Sequence, residues 1–158
     1  MRTEREPLTI RVATTISREL DDCFSFFVPV PLENIFHRTL FLPGVKRTDE
    51  VSKWMTAGMT RTIYFTDRTR AEETLERVDR PTSFSYKVQN FTGINRFLID
   101  HIYGRWEFAK AGSATQIVWQ YELYSRSRLA AVAMRATTPV VRRMLVKALN
   151  ILKLDLEG

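Results

Sequence analysis

Two side chains of opposite charge, Arg61 and Glu73, fall in neighbouring segments whose apolar residues alternate. With a turn at Asp67 to Thr69, Ile63 stands about opposite Glu73 and Arg61 about opposite Leu75. Strand parity then puts Arg61, Ile63 and Phe65 on one face with Glu73 and Leu75. The apolar neighbours mark that face as interior, which predicts a diagonal, inward-facing ion pair. Burying such a pair is costly, and removing one partner is expected to cost about 3–5 kcal/mol. Two roles are open to it. The pair closes one end of a core, or it anchors a ligand, with Arg61 holding a carboxylate or enolate and Glu73 acting as acid or base.

Tyr86, Asn90 and Tyr121 carry polar groups on the same inferred face, and Trp106, Phe108 and Trp119 supply apolar wall. A mostly apolar cavity with a few convergent polar groups is what a small-molecule site requires, although an aromatic stripe also serves as plain core. Glu73 and Tyr86 are the candidates for acid–base chemistry. His37 and His101 have no serine or cysteine placed beside them, and each reads as a surface or boundary histidine. Cys23, His37 and His101 lack the spacing of metal ligands, so no metal is expected. No phosphate-binding loop and no Gly-rich dinucleotide fingerprint is present, so no cofactor is expected either.

The elements that must position these residues are legible from spacing. Leu8 to Ile16 alternates as a first strand, and Ser17 reads as the N-cap of a short helix from Glu19 to Phe27. Pro29 and Pro31 end that helix, and Leu32 to Thr39 forms a second one packing Ile35 and Phe36. Pro43-Gly44 turns the chain into a meander of antiparallel strands, roughly 45–54, 59–67, 71–79, 83–91, 103–110 and 115–124. Turn residues separate them at Ala57-Gly58, Asp67 to Thr69, Asp79 to Pro81, Thr92-Gly93 and Ala111 to Ser113.

Two stretches depart from alternation. Ile94 to Ile102 is apolar at Ile94, Phe97, Leu98, Ile99 and Ile102, and reads as a packed corner or as a flap over the mouth of a pocket, with Phe97 and Leu98 at its tip. After Ser125 the spacing becomes helical, through Val141, Met144, Leu145, Ala148, Leu149, Leu152 and Leu156. This last helix begins somewhere between Ser127 and Pro139. Pro139 is either the first residue of a fresh helix or a kink within a longer one. A curved antiparallel sheet gripping a terminal helix is the simplest object these patterns build.

The bulk composition sets limits. A chain of 158 residues, 44% apolar and 27% charged and without internal repeats, reads as one domain over 1–158. The N-terminus carries charges of both signs and no apolar core of a signal peptide, and no stretch is apolar for long enough to span a bilayer. With one cysteine, Cys23, in an apolar run, the expectation is a buried thiol in a reduced, cytoplasmic protein. The formal charge of +6 invites an anionic partner. Its densest group lies on the last helix at Arg142, Arg143, Lys147 and Lys153, after Arg126, Arg128 and Arg135, which is a solvated face or a contact for an anionic membrane surface. Nucleic acid is not expected, because no recognition-helix, zinc-finger or RNA-binding aromatic pattern accompanies the charge.

Several of these residues also follow one another in a familiar order. Trp54-x3-Gly58-x2-Arg61, Asp67, Glu73-x-Leu75, Phe84-x-Tyr86, Gly104-x-Trp106-x-Phe108, Thr115, Trp119-x-Tyr121 and Leu152-Lys153-x-x-Leu156-Glu157 occur in sequence. From Ile10 to Glu157 the chain resembles the polyketide cyclase/dehydrase-like branch of the START and birch-pollen-allergen superfamily. The resemblance implies an α+β helix-grip fold, in which a curved seven-stranded antiparallel sheet wraps a long C-terminal helix, with two short helices after the first strand. It also implies a hydrophobic cavity between sheet and helix. Members bind sterols, lipids, polyketides or plant hormones, and some cyclise or dehydrate polyketide chains.

Two functions are therefore expected: a carrier for a hydrophobic small molecule, and, as the alternative, a cyclase or dehydratase using the same cavity. A basic membrane-surface module ranks third. The expected ligand-lining residues are Arg61, Ile63, Glu73, Tyr86, Asn90, Phe97, Leu98, Trp106, Phe108, Trp119 and Tyr121, with Met144, Leu145 and Leu149 from the helix.

Overall fold

The computed structural model describes residues 6–28, 32–39, 42–49 and 55–158. Seven strands form one antiparallel sheet: β1 (Leu8–Ile16), β2 (Val45–Thr48), β3 (Thr60–Phe65), β4 (Arg70–Asp79), β5 (Ser83–Gln89), β6 (Ile99–Ala111) and β7 (Ala114–Ser125). Their spatial order is β1-β7-β6-β5-β4-β3-β2, so the meander is closed on one side by the first strand. Five helices complete it: α1 (Leu20–Phe27), α2 (Leu32–Ile35), α3 (Asn95–Leu98), α4 (Arg128–Ala136) and α5 (Thr138–Glu157). This is the helix-grip arrangement, with α5 buried along Val141, Leu145, Ala148, Leu149 and Leu152. Each such leucine or valine contributes roughly 1.5–3 kcal/mol by leaving water.

Register shows why side chains of distant strands share one face. Leu8 pairs with Leu123, Leu123 with Ile102, Ile102 with Val88, Val88 with Glu73 and Glu73 with Arg61. That row crosses six strands. One layer along, Ile10, Tyr121, Gly104, Tyr86 and Leu75 form a second row. Directly opposed residues of antiparallel strands point to the same face, so both rows look inward.

The structure corrects several boundaries. Among the described residues strand β2 ends at Thr48, where Asp49 bends the chain; the rest of the expected strand, residues 50–54 with Trp54, lies outside the described residues, as do Pro29 and Pro31. The second helix stops at Ile35, four residues short of Thr39. Ser17 does not cap α1. Its backbone N–H donates to the Glu157 carboxylate at 2.9 Å, and Arg18 Nε donates to the Leu156 carbonyl at 2.9 Å, so the end of α5 is tied to the β1–α1 junction. The basic side chain thereby meets an orphan carbonyl of the last helical turn.

Ile94 to Ile102 divides into a helical turn and the start of a strand. Asn95–Leu98 makes one helical turn, and Ile99 and Ile102 already belong to β6, where both are buried.

At the C-terminal region both alternatives for the helix start are realised, as two helices. Ser127 caps α4 by accepting a hydrogen bond from the Ala130 N–H at 3.0 Å, and Pro139 lies in the first turn of α5, where its missing N–H is not needed. The break falls at Thr137. Replacing Ser127 by alanine should destabilise the protein by about 0.5–2 kcal/mol, the usual value of an N-cap, measurable as a shift of the urea midpoint without change in slope.

Candidate functional site

The concave face is divided into a filled end and an empty end. At the filled end Trp106 and Trp119 stack with ring centroids 4.2 Å apart, Phe84 lies parallel to Trp106 at 6.0 Å, and Phe24 and Phe27 of α1 meet Phe108 edge-on at 5.3 and 5.4 Å. Such pairs add to the area they bury, and they leave a void of only about 10 Å³ among them. At the empty end a cavity of about 170 Å³ lies between sheet and helix. Its inner wall is Val88, Ile102 and Leu123 from the sheet with Val141 from α5, and half-buried Phe36, Leu42, Phe65, Phe91, Asn95, Met134 and Met144 form its rim.

The boundary between the two ends is polar. Arg61 and Glu73 are directly opposed in β3 and β4, 1% and 3% exposed, with Arg61 Nε donating to Glu73 Oε1 at 2.6 Å. The terminal guanidinium nitrogen lies 2.6 Å from the same oxygen. The hairpin register therefore differs by two residues from the expected one. Parity survives a shift of two, so the inward direction is unchanged, but the pair is straight across and not diagonal. Burial pushes the Glu73 carboxyl up, opposed by the charge and hydrogen bond of Arg61.

Tyr86 stands beside the pair. Its hydroxyl accepts the indole N–H of Trp119 at 3.0 Å. This placement depends on Gly104, because a β-carbon there would come within 2.0 Å of the Tyr86 ring and 2.3 Å of its oxygen. Burial, then the Glu73 charge and then Tyr121 hold the Tyr86 phenol well above its ordinary range; burial and Glu73 do the same for Tyr121. Both stay protonated, so they serve as hydrogen-bond donors and not as bases.

Of the residues expected to line the site, Ile63, Glu73, Tyr86, Tyr121 and Met144 line the cavity. Arg61 does not. It lines the small void behind Glu73, together with Trp106 and Trp119. Trp106, Phe108, Trp119, Leu145 and Leu149 are core, filling space instead of bounding it. Asn90 is exposed with φ of 57°, past the end of β5, where its side chain donates to Glu72 at 2.6 Å. Alternation cannot extend to Asn90, because a left-handed residue ends the pleat. Phe97 is 62% exposed under the guanidinium of Arg96, and Leu98 packs on the core; their neighbour Asn95 is the one on the rim.

Leu32 at the start of α2, and Phe36, Leu42 and Pro43 after it, were missed because the short segment between α1 and β2 is too irregular to show which way its side chains point. Met134 was missed because α4 was not separated from α5. The histidines lie outside the site: His37 is exposed, and His101 pairs with Asp100 at 2.7 Å and stacks on Tyr124. Cys23 is buried, which pushes its thiol up. Among the described residues no group of acidic, histidine and cysteine side chains could hold a metal ion, and no helix is long and apolar enough to cross a membrane.

The ion pair predicts a mutational pattern. Arg61→Ala or Glu73→Ala alone should cost about 3–5 kcal/mol in urea unfolding by stranding the other charge, whereas Arg61→Met with Glu73→Leu should recover most of it. Equal losses in the single and double variants would refute a coupled pair. Gly104→Ala should cost about 1–3 kcal/mol and shift the Trp119 indole N–H resonance, since the Tyr86 hydroxyl must move away.

Comparison with known proteins places this geometry. No curated protein matches the chain in sequence. Many solved structures share its fold, among them the following three. DynU16, from the dynemicin biosynthetic locus, aligns with 14% identity and a TM-score of 0.65 over 95% of this chain, which spans only 47% of that protein. Protein Ms6760 of Mycobacterium smegmatis aligns with 15% identity and a TM-score of 0.61, covering 93% of this chain and 89% of that one. Ara h 8.0201 aligns with 9% identity and a TM-score of 0.57, covering 92% and 98%. Identities this low speak for the fold alone. The family described as polyketide cyclase / dehydrase and lipid transport matches residues 10–157, and the chain belongs to that family.

Proposed function

We propose that the chain is a carrier for a mainly hydrophobic small molecule whose buried end is neutral, a hydroxyl or carbonyl on a lipid, polyketide or aromatic skeleton. The observation that carries this reading is the polar end of the cavity. Glu73, Tyr86 and Tyr121 face it among apolar walls, while Arg61 is turned away behind the glutamate. A ligand hydroxyl can donate to Glu73 and accept from Tyr121. A ligand carboxylate would meet the Glu73 charge with no cation among the described residues that line its side, in a poorly solvated place where like charges repel strongly. On this reading Arg61 holds Glu73 and does not anchor a ligand carboxylate.

Size points the same way. About 170 Å³ is close to an engineered cavity of about 150 Å³ that takes up benzene. One ring, or the head of a longer molecule, fits within it, and a longer skeleton extends past the rim.

A cyclase or dehydratase would use Glu73 as its base and Tyr121 as proton donor. The direct ion pair to Arg61 weighs against it, since Glu73 must give up that partner's attraction on taking a proton.

Native mass spectrometry of the purified protein should show an apolar adduct. In displacement of the neutral dye N-phenylnaphthylamine, a long-chain alcohol should compete at least about tenfold better than the fatty acid of equal length, a difference of ~1.4 kcal/mol. Glu73→Gln should narrow that gap. Stronger competition by the acid would overturn the neutral-head reading, and a protein that binds neither dye nor adduct would overturn the carrier reading.

A further inference from the structure

Two short helices beside the cavity rim carry their apolar side chains outward. On α4, Leu129, Val132, Ala133 and Ala136 are all exposed at helical spacings of three and four, Leu129 at 82% and Val132 at 65%. The inward side of that helix is supplied by Ala130 and Met134, so this stripe is a second apolar face left in water. Helix α3 packs beside α4 and adds Ile94, from the residue before it, and Phe97, exposed at 73% and 62%. Scattered exposed apolar residues are ordinary; four large ones on two adjoining elements are not.

The charge around them is mainly positive, with Asp100 as the exception. Arg96 lies over Phe97, and Arg128 and Arg135 flank Val132 one helical turn away on each side, all exposed. Arg126 joins them next to Asp100, at 3.6 Å. Along the chain no Asp or Glu occurs between Glu122 and Asp155. Large apolar side chains within a fence of arginines suit an anionic bilayer, which takes the apolar groups into its interface and the cations at its headgroups. The same fence disfavours a second copy of this chain, whose patch would bring like charges together.

We infer that the α3–α4 face is a docking surface for anionic lipid membrane, set where ligand passes between bilayer and cavity. Asn95 of α3 and Met134 of α4 line the cavity, so a membrane seated on the outward faces of these helices lies beside it. This narrows the expected basic contact to its part on and just before α4, Arg126, Arg128 and Arg135. Arg142 and Arg143 are on α5, and Arg142 reaches back to the Arg11 carbonyl of β1 at 3.3 Å. The loading role rests on the ligand-binding reading above; the membrane contact can be measured without it.

The test is co-sedimentation with vesicles of phosphatidylcholine, with and without phosphatidylserine. The wild-type chain should bind only the mixed vesicles, and less as salt rises. Arg128→Glu with Arg135→Glu should weaken binding roughly thirtyfold or more, about fivefold for each cation removed near an anionic surface. Leu129→Ser with Val132→Ser should weaken it at unchanged charge, while Arg142→Glu with Arg143→Glu should have the smaller effect. All these positions are exposed and outside the cavity, so dye binding in vesicle-free solution should persist in every variant. Absence of vesicle binding with intact dye binding would overturn the docking surface and leave the carrier reading standing. Vesicle binding sensitive only to the α5 pair would overturn it too, as would concentration-dependent dimerisation abolished by Leu129→Ser with Val132→Ser.

Discussion

Tyr86 lies across the backbone of Gly104, so close that a β-carbon there would overlap its phenol ring, and its hydroxyl takes the indole proton of Trp119. Much of the interior is arranged around this approach. It holds Trp119 flat on Trp106, and with them the aromatic cluster under α1 fills one end of the concave face. Tyr86 also lines the cavity at the other end, so one side chain forms part of both the packed core and the empty space. Leucine in its place could fill volume, but it could not satisfy the buried indole N–H.

The buried ion pair adds a second constraint on the same spot. An arginine and a glutamate with almost no exposure contribute little net stability compared with well-packed apolar residues. Their consequence is directional. Arg61 sits behind and Glu73 in front, so the cavity sees the acceptor and not the cation. The two tyrosines, kept protonated by burial, stand beside that acceptor as donors. A polar end so composed suits a neutral hydrogen-bonding head better than an anion.

The exposed faces of α3 and α4 follow a different economy from the core. Ala130 and Met134 secure α4 to the body of the protein, and the outward stripe of Leu129 and Val132 adds nothing to folding. Apolar surface of this kind, beside the rim and fenced by arginine, is consistent with a partner that offers both apolar depth and negative charge.

Alternation by itself determined the strands, their meander order and the inward direction of Arg61, Glu73, Tyr86 and Tyr121. A pleat has a period of two, and an error of two residues in hairpin register leaves direction intact. The change to helical spacing likewise determined that a helix closes the sheet. Only the tertiary structure decided which inward residues line space and which fill it. Trp106, Phe108 and Trp119 share a face with Tyr121, yet they are core, because α1 brings Phe24 and Phe27 down onto that end and, among the described residues, nothing equivalent descends on the other. Facing is a local property of the backbone. Emptiness depends on how well elements distant in sequence fill the volume between them, and that is settled only when they meet.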